Sequence, residues 1–186
     1  NWVQKCLLTV GGKPMLEWWL DAAFDSEMFR KVFVNVHHHA DQVQEWLIGY
    51  ENRTGRYVHV IDERDSLLGT AGTLYVHGER SSDFMSAYTD TFSWKLLSDL
   101  RYFVKLWKQQ KNEVMGGLIG FKPPEDGSAS AIDTDALGRV IAFREKAEGG
   151  SVAWAGVLFS RGTFLSMLRA DEKDLAHETL PRLKRH

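Results

Sequence analysis

Through its first two thirds the chain alternates short apolar runs with longer amphipathic ones, and few folds accept that rhythm. Cys6–Val10, Lys31–Val36, Tyr57–Asp62 and Phe84–Thr89 read as strands. Between and after them, Met15–Phe24, Asp41–Tyr50, Thr70–Gly78 and Leu96–Gln110 read as helices. Met15, Leu16, Trp19, Leu20 and Ala23 share one helical face, as do Leu96, Leu100, Phe103, Val104 and Trp107 in the last run. Short strands separated by helices of about ten to fifteen residues favour parallel pairing with right-handed crossovers. From Val114 the rhythm changes: Val114–Phe121, Ser128–Asp133, Val140–Glu145 and Val152–Ser160 read as strands, and two helices, Gly162–Arg169 and Leu175–Lys184, follow. The expectation is a three-layer α/β/α, Rossmann-like fold. Its sheet is mixed and mainly parallel, with helices on both faces and a β-rich, partly antiparallel extension.

The 186 residues suffice for a single domain with a real core, and no linker or repeat divides them. A net charge of −2 gives no electrostatic reason to expect nucleic acid or a membrane surface as partner. No apolar run approaches the roughly 18 residues of a membrane helix. One cysteine, Cys6, excludes an internal disulfide and suits a reducing cytoplasm. In a Cys-Leu-Leu run it reads as a small buried apolar residue rather than a nucleophile. Of the seven tryptophans, Trp18, Trp19, Trp46 and Trp107 fall in helical runs and read as core or interface.

Two places could carry chemistry. Leu68-Gly69-Thr70-Ala71-Gly72 joins a strand to a helix. Its glycines would let backbone approach a ligand, and the helix start behind them suits a polyanion or a base edge. The same residues also make ordinary tight turns. Asp90 ends the run Ser86-Ala87-Tyr88-Thr89-Asp90, where ligands of open α/β sheets bind. It could hold a hard cation such as Mg²⁺, or cap the following turn. His37-His38-His39 cannot all face one ion, since side chains alternate along extended backbone.

Six segments, in order, resemble the sugar-1-phosphate nucleotidyltransferases, the nucleotide-sugar pyrophosphorylase family, and among them mannose-1-phosphate guanylyltransferase-like members. They are Gln4–Leu16 (with Lys5 and Gly12-Lys13-Pro14), Val34–His38, Glu63–Gly72, Ser86–Asp90, Gly138–Lys146 and Ala155–Phe159. The resemblance runs from about residue 2 to about residue 181 and implies one nucleotidyltransferase domain over 1–186. It departs from the family at Thr89, where Gly or Ala is usual, and at Ala147, where the Glu-Lys-Pro motif has Pro.

The resemblance implies transfer of a nucleotidyl group from an NTP to a sugar 1-phosphate with Mg²⁺, in the cytoplasm. GTP and a mannose-type sugar are slightly favoured, and homo-oligomers are compatible with it. Lys5 would contact the nucleotide phosphates, Lys146 the sugar phosphate, and Asp90 the metal. Fixed cations there offset repulsion between two polyanions; either lysine could instead be a solvated surface charge. Glu145 would bond sugar hydroxyls, or be an exposed strand carboxylate. Gly127 and Gly156 would border the sugar, or be turn and bulge glycines. Trp154 would reshape the sugar pocket if it pointed inward. Glu63, with the backbone of Gly69 and Thr70, would read the base, though Arg64 could hold that position. A carboxylate suits guanine.

The family's Gly-rich phosphate loop precedes the first matched segment, and a second metal Asp in a D-x-G-T run follows the last. Neither is in these 186 residues. The text reads as the middle of a domain, and this stretch alone is expected to bind nucleotide weakly at most. The alternative reading is a relative that binds nucleotide or sugar phosphate without turnover.

Overall fold

Among the described residues, buried apolar side chains form a cluster within each of two units. In the computed structural model, which describes residues 3–123, 129–144 and 152–183, one unit is Asn1–Leu67 with Tyr88–Gln110 and the other Leu68–Ala87 with Lys111–His186.

The first unit opens with a 3-10 turn at Lys5–Leu7 and a hairpin of β1 (Thr9–Val10) and β2 (Lys13–Pro14). Gly11 and Gly12 both have positive φ, +58° and +88°, the backbone that a two-residue hairpin turn needs. The 3-10 turn at Lys5–Leu7 shortens the strand expected at Cys6–Val10 to its last two residues. Helix α1 (Met15–Asp25) follows. Then β3 (Phe33–Val36), α2 (Ala40–Thr54) and β4 (His59–Asp62) form a β-α-β unit, parallel and in register from Phe33↔His59 to Val36↔Asp62. Gly55 (φ +71°) ends α2 by donating its N–H to the Glu51 carbonyl. Leu16 and Leu20 of α1, Val43, Leu47 and Tyr50 of α2, and Val36 and Val58 form the core. Their i, i+3, i+4 spacing is the pattern read from the sequence.

The single helix expected over Leu96–Gln110 is two: α4 (Trp94–Ser98) after α3 (Gly69–His77) of the other unit, and α5 (Leu100–Lys108). Ser93 caps α4 by accepting from Leu96 N–H. Asp99 leaves helical geometry (φ −95°, ψ 5°) and accepts from Lys95 Nζ at 2.8 Å.

In the second unit, β5 (Phe84–Ala87), β6 (Gly116–Phe121), β7 (Ala131–Thr134), β8 (Val140–Arg144) and β9 (Val152–Ser160) make one sheet. Strand β9 is central: β6 pairs along it, while β5 pairs with Val157–Ser160 and β7 with Val152 and Ala153. The partner changes around Gly156, which has φ +65°. The described strands form three separate sheets, β1–β2, β3–β4 and this five-stranded one, rather than a single mixed sheet. The parallel share is smaller than the alternation suggested: only β3 and β4 pair in parallel, and the five-stranded sheet is antiparallel throughout. The short Asp135–Arg139 link between β7 and β8 permits nothing else. Asp135 closes that turn by accepting from the N–H groups of Leu137 and Arg139.

The chain after β9 is a 3-10 turn (Gly162–Met167), a π-type turn (Leu175–Thr179) and a short α6 (Leu180–Arg182), rather than two regular helices. Phe164, Leu165, Leu168 and Leu175 pack with Ala71 and Leu158. Glu172, 7% exposed, ties this segment together. It accepts from Arg182 Nε at 2.5 Å and Nη2 at 2.9 Å, and from the Thr179 hydroxyl at 3.0 Å. The Arg182 guanidinium holds the Glu172 carboxyl below the usual range. A carboxyl with a lowered folded-state pKa adds stability above its unfolded pKa and loses it as pH falls through the folded value. Glu172→Gln is therefore expected to lower stability by about 2 kcal/mol at pH 7. Urea titrations should show the gap closing below pH 4. A gap independent of pH would remove the charge from the explanation.

Candidate functional site

Lys5 is anchored from its own backbone outward. Gln4 Oε1 accepts from Lys5 N–H at 3.0 Å, and Gln4 Nε2 donates to the His38 carbonyl at 2.7 Å. The Lys5 turn is thereby fixed to the end of β3. Asp90 sits in a four-residue turn closed by Thr91 N–H donating to the Tyr88 carbonyl at 3.1 Å. Across 85 residues of sequence, Lys5 Nζ donates to Asp90 Oδ2 at 2.7 Å. Their side chains are 68% and 42% exposed. Exposed ion pairs contribute little to stability, so this pair is not what holds its two segments together. Beside Lys5 lies an open cleft of about 470 Å³, lined by Val3, Gln4, Lys5, His38 and His39. His39 has φ +52°, and its ring meets that of His38 edge-on at 4.2 Å.

The other sequence candidates fall elsewhere. Glu63 is 3% exposed, its N–H bonded to the Val36 carbonyl at 2.8 Å. Arg64 bridges Asp62 at 2.7 Å and Asp41 at 2.6 Å, and it holds the Asp62 carboxyl down at about 2. Gly69 and Thr70, in the second unit, meet the chain's own backbone. Lys173 O accepts from Ala71 N–H at 2.9 Å, and the Thr70 hydroxyl accepts from Leu175 N–H at 2.9 Å. A Cβ on Gly69 would lie 2.4 Å from Lys173 O. The glycine thus answers a close approach by the C-terminal segment. Trp154 is buried against Phe143, ring centroids 5.4 Å apart, and its Nε1–H donates to the Val157 carbonyl at 2.9 Å. Gly156 lies where the β6–β9 register shifts. Gly127, Glu145 and Lys146 lie outside the described residues.

Burial pushes the Cys6 thiol up to about 11. With so little thiolate near neutral pH, alkylation by iodoacetamide at pH 7.5 should run about two orders of magnitude slower than for free cysteine. Labelling at the free-thiol rate would refute this. Among the described residues, no group of three or more His, Cys, Asp or Glu could hold a metal ion, and no helix is long and apolar enough to cross a membrane.

Two side chains that read as core or interface in the sequence have specific partners. Trp18 Nε1–H donates to the Val10 carbonyl at 2.8 Å, and Trp19 Nε1–H to the Thr91 carbonyl at 3.2 Å. The available signal was their adjacency: neighbours on a helix face different directions, and a buried indole N–H needs a partner.

No protein-family profile matches the chain, and no curated protein matches its sequence. Solved structures do. HddC from Yersinia pseudotuberculosis is 20% identical with a TM-score of 0.76, over 97% of this chain and 77% of HddC. The same protein complexed with GMP-PN is 18% identical, with the same score and coverage. A Bacillus anthracis protein assigned as a glucose-1-phosphate thymidylyltransferase, in complex with a sucrose, is 16% identical with a TM-score of 0.69, over 87% of this chain and 64% of that one. At such identities the likeness speaks for the backbone. The chain has the Rossmann-like α/β nucleotidyltransferase fold.

Proposed function

We propose that the Lys5–Asp90 pair belongs to the catalytic centre of a sugar-1-phosphate nucleotidyltransferase. The observation that carries this reading is the 2.7 Å pairing of two exposed, opposite charges 85 residues apart. In the reaction, a phosphate oxygen of the sugar 1-phosphate attacks the α-phosphorus of an NTP. The bond from that phosphorus to the bridging oxygen breaks, pyrophosphate leaves, and an NDP-sugar remains. Such transfers depend on positioning and electrostatics rather than on a protein nucleophile. That fits a chain whose one thiol is held protonated.

Lys5 holds the nucleotide phosphates and offsets the repulsion between the two polyanions. Asp90 is the metal carboxylate. Mg²⁺ binds through one or two carboxylates and is completed by substrate phosphates and water, so the donor chemistry of an exposed carboxylate fits. When bound, Mg²⁺ supplies charge neutralisation at the phosphate oxygens. On the resemblance, Lys146 binds the sugar phosphate, Glu145 the sugar hydroxyls, Gly127 and Gly156 border the sugar, and Glu63 serves the base; Gly69 and Thr70, met by Lys173 and Leu175, are not assigned to it. GTP with a mannose-type sugar 1-phosphate is the first pair to test, and the GMP-PN carried by HddC supports guanine.

The experiment incubates the protein and Mg²⁺ with GTP, UTP, dTTP or CTP against mannose and glucose 1-phosphates. NDP-sugar and pyrophosphate are then quantified. Both products in equal amounts are expected from the protein extended at both ends to include a Gly-rich loop and a second metal Asp, and little or none from residues 1–186 alone. In the extended protein, saturable nucleotide binding with no product from any pair would favour binding without turnover, and neither binding nor product would overturn the proposal.

A further inference from the structure

We infer that Trp19, assisted by Trp18, is a positioning residue that sets Asp90 at its working distance from Lys5. This rests on the reading of Asp90 as a metal carboxylate. Both backbone polar groups of Thr91, the residue after Asp90, are engaged. Its N–H closes the Asp90 turn on Tyr88, and its carbonyl accepts from Trp19 Nε1. Trp19 is itself buried in α1, so the turn is referred to a rigid helix rather than to a loop.

Trp18, the neighbouring residue, grips both sides. Its Nε1–H holds the Val10 carbonyl of the hairpin that follows Lys5. Its ring packs edge-on against Trp94 at 4.6 Å and Phe92 at 6.4 Å. Trp94 in turn abuts Gly11, where an added Cβ would lie 2.8 Å from its ring. Lys13 Nζ sits 4.6 Å from the Trp18 ring centroid and pairs with Asp21 at 2.6 Å. Two adjacent indoles on one helix thus hold the two segments that carry Lys5 and Asp90. The side chains of that pair are exposed, so their spacing depends on the backbone that carries them. Groups that orient a metal ligand without touching the metal are worth about tenfold or more in metal affinity.

The test uses Mn²⁺ as the metal probe and a non-hydrolysable GTP analogue. Mn²⁺ affinity is measured by titration in the presence of the analogue, analogue affinity without metal, and stability by urea unfolding. Trp19→Phe keeps a ring and removes the N–H. It is expected to weaken Mn²⁺ binding about tenfold while changing metal-free analogue binding less than about twofold. Trp94→Ala acts at an exposed residue and should weaken Mn²⁺ binding in the same direction, so the test survives if Trp19→Phe does not fold. Trp46→Phe, in α2, should change neither affinity. A lowered urea midpoint with unchanged Mn²⁺ affinity in the folded variants would reduce the indoles to structural props and overturn the inference. Wild-type protein that takes up no Mn²⁺ even with the analogue would instead bring down the proposed function itself.

Discussion

Replacing Asp90 by Asn is expected to slow NDP-sugar formation by the extended protein about a thousandfold at saturating Mg²⁺. Asn keeps the shape and the turn, because that turn is closed by backbone groups of Tyr88 and Thr91. What is lost is the charge. Stability should stay within about 0.5 kcal/mol of wild type, since Asp90 is exposed and its ion pair with Lys5 is a surface one. Affinity for nucleotide without metal should hold or rise, because Lys5 Nζ no longer has the carboxylate as partner and is free to meet phosphate. Lys5→Met is the counterpart and should weaken metal-free nucleotide binding. Equal rates for wild type and Asp90→Asn at saturating Mg²⁺ would exclude a metal-ligand role.

What the sequence made legible was periodic. The helices α1 and α2 and their core positions follow from i, i+3, i+4 spacing. The strand β9 follows from an apolar run, and its burial along both faces matches a central strand. What escaped was local backbone geometry that apolar spacing does not report. Nothing local in Cys6–Val10 announces that a left-handed Gly11-Gly12 pair will fold the strand back after two residues. Nor does Leu96–Gln110 show that Asp99 interrupts it, because the apolar spacing runs straight through.

The site was legible in the same uneven way. Lys5 and Asp90 were singled out separately, and the fold brings them together. Gly69 and Thr70 were singled out for a ligand, and the fold sets the carbonyl of Lys173 against one and the N–H of Leu175 against the other. A glycine required by a ligand and a glycine required by the chain's own backbone look alike in one sequence. Trp154 is the same lesson for a large residue. Its indole N–H is bonded to Val157, so it fills the core of the second unit beside Phe143.

That ambiguity can be resolved at Gly69 by substitution. Gly69→Ala is expected to lower stability by about 3 kcal/mol, and Gly12→Ala by about 1 kcal/mol. Both glycines have positive φ, +74° and +88°, so both variants carry the strain of a side chain in the left-handed region. The difference lies in the surroundings. Nothing stands within 4 Å of a Cβ at Gly12, whereas one at Gly69 would meet Lys173 O at 2.4 Å. Backbone cannot rotate away as a flexible side chain can. Either Lys173 withdraws, giving up its bond to Ala71 N–H, or α3 shifts from its place. Withdrawal would also disturb the adjoining Glu172–Arg182 pair, so the cost should be shared across the segment. Urea unfolding of the two variants measures the difference directly. Near-equal losses would mean that the Lys173 approach relaxes freely, and Gly69 would then be explained by conformation alone.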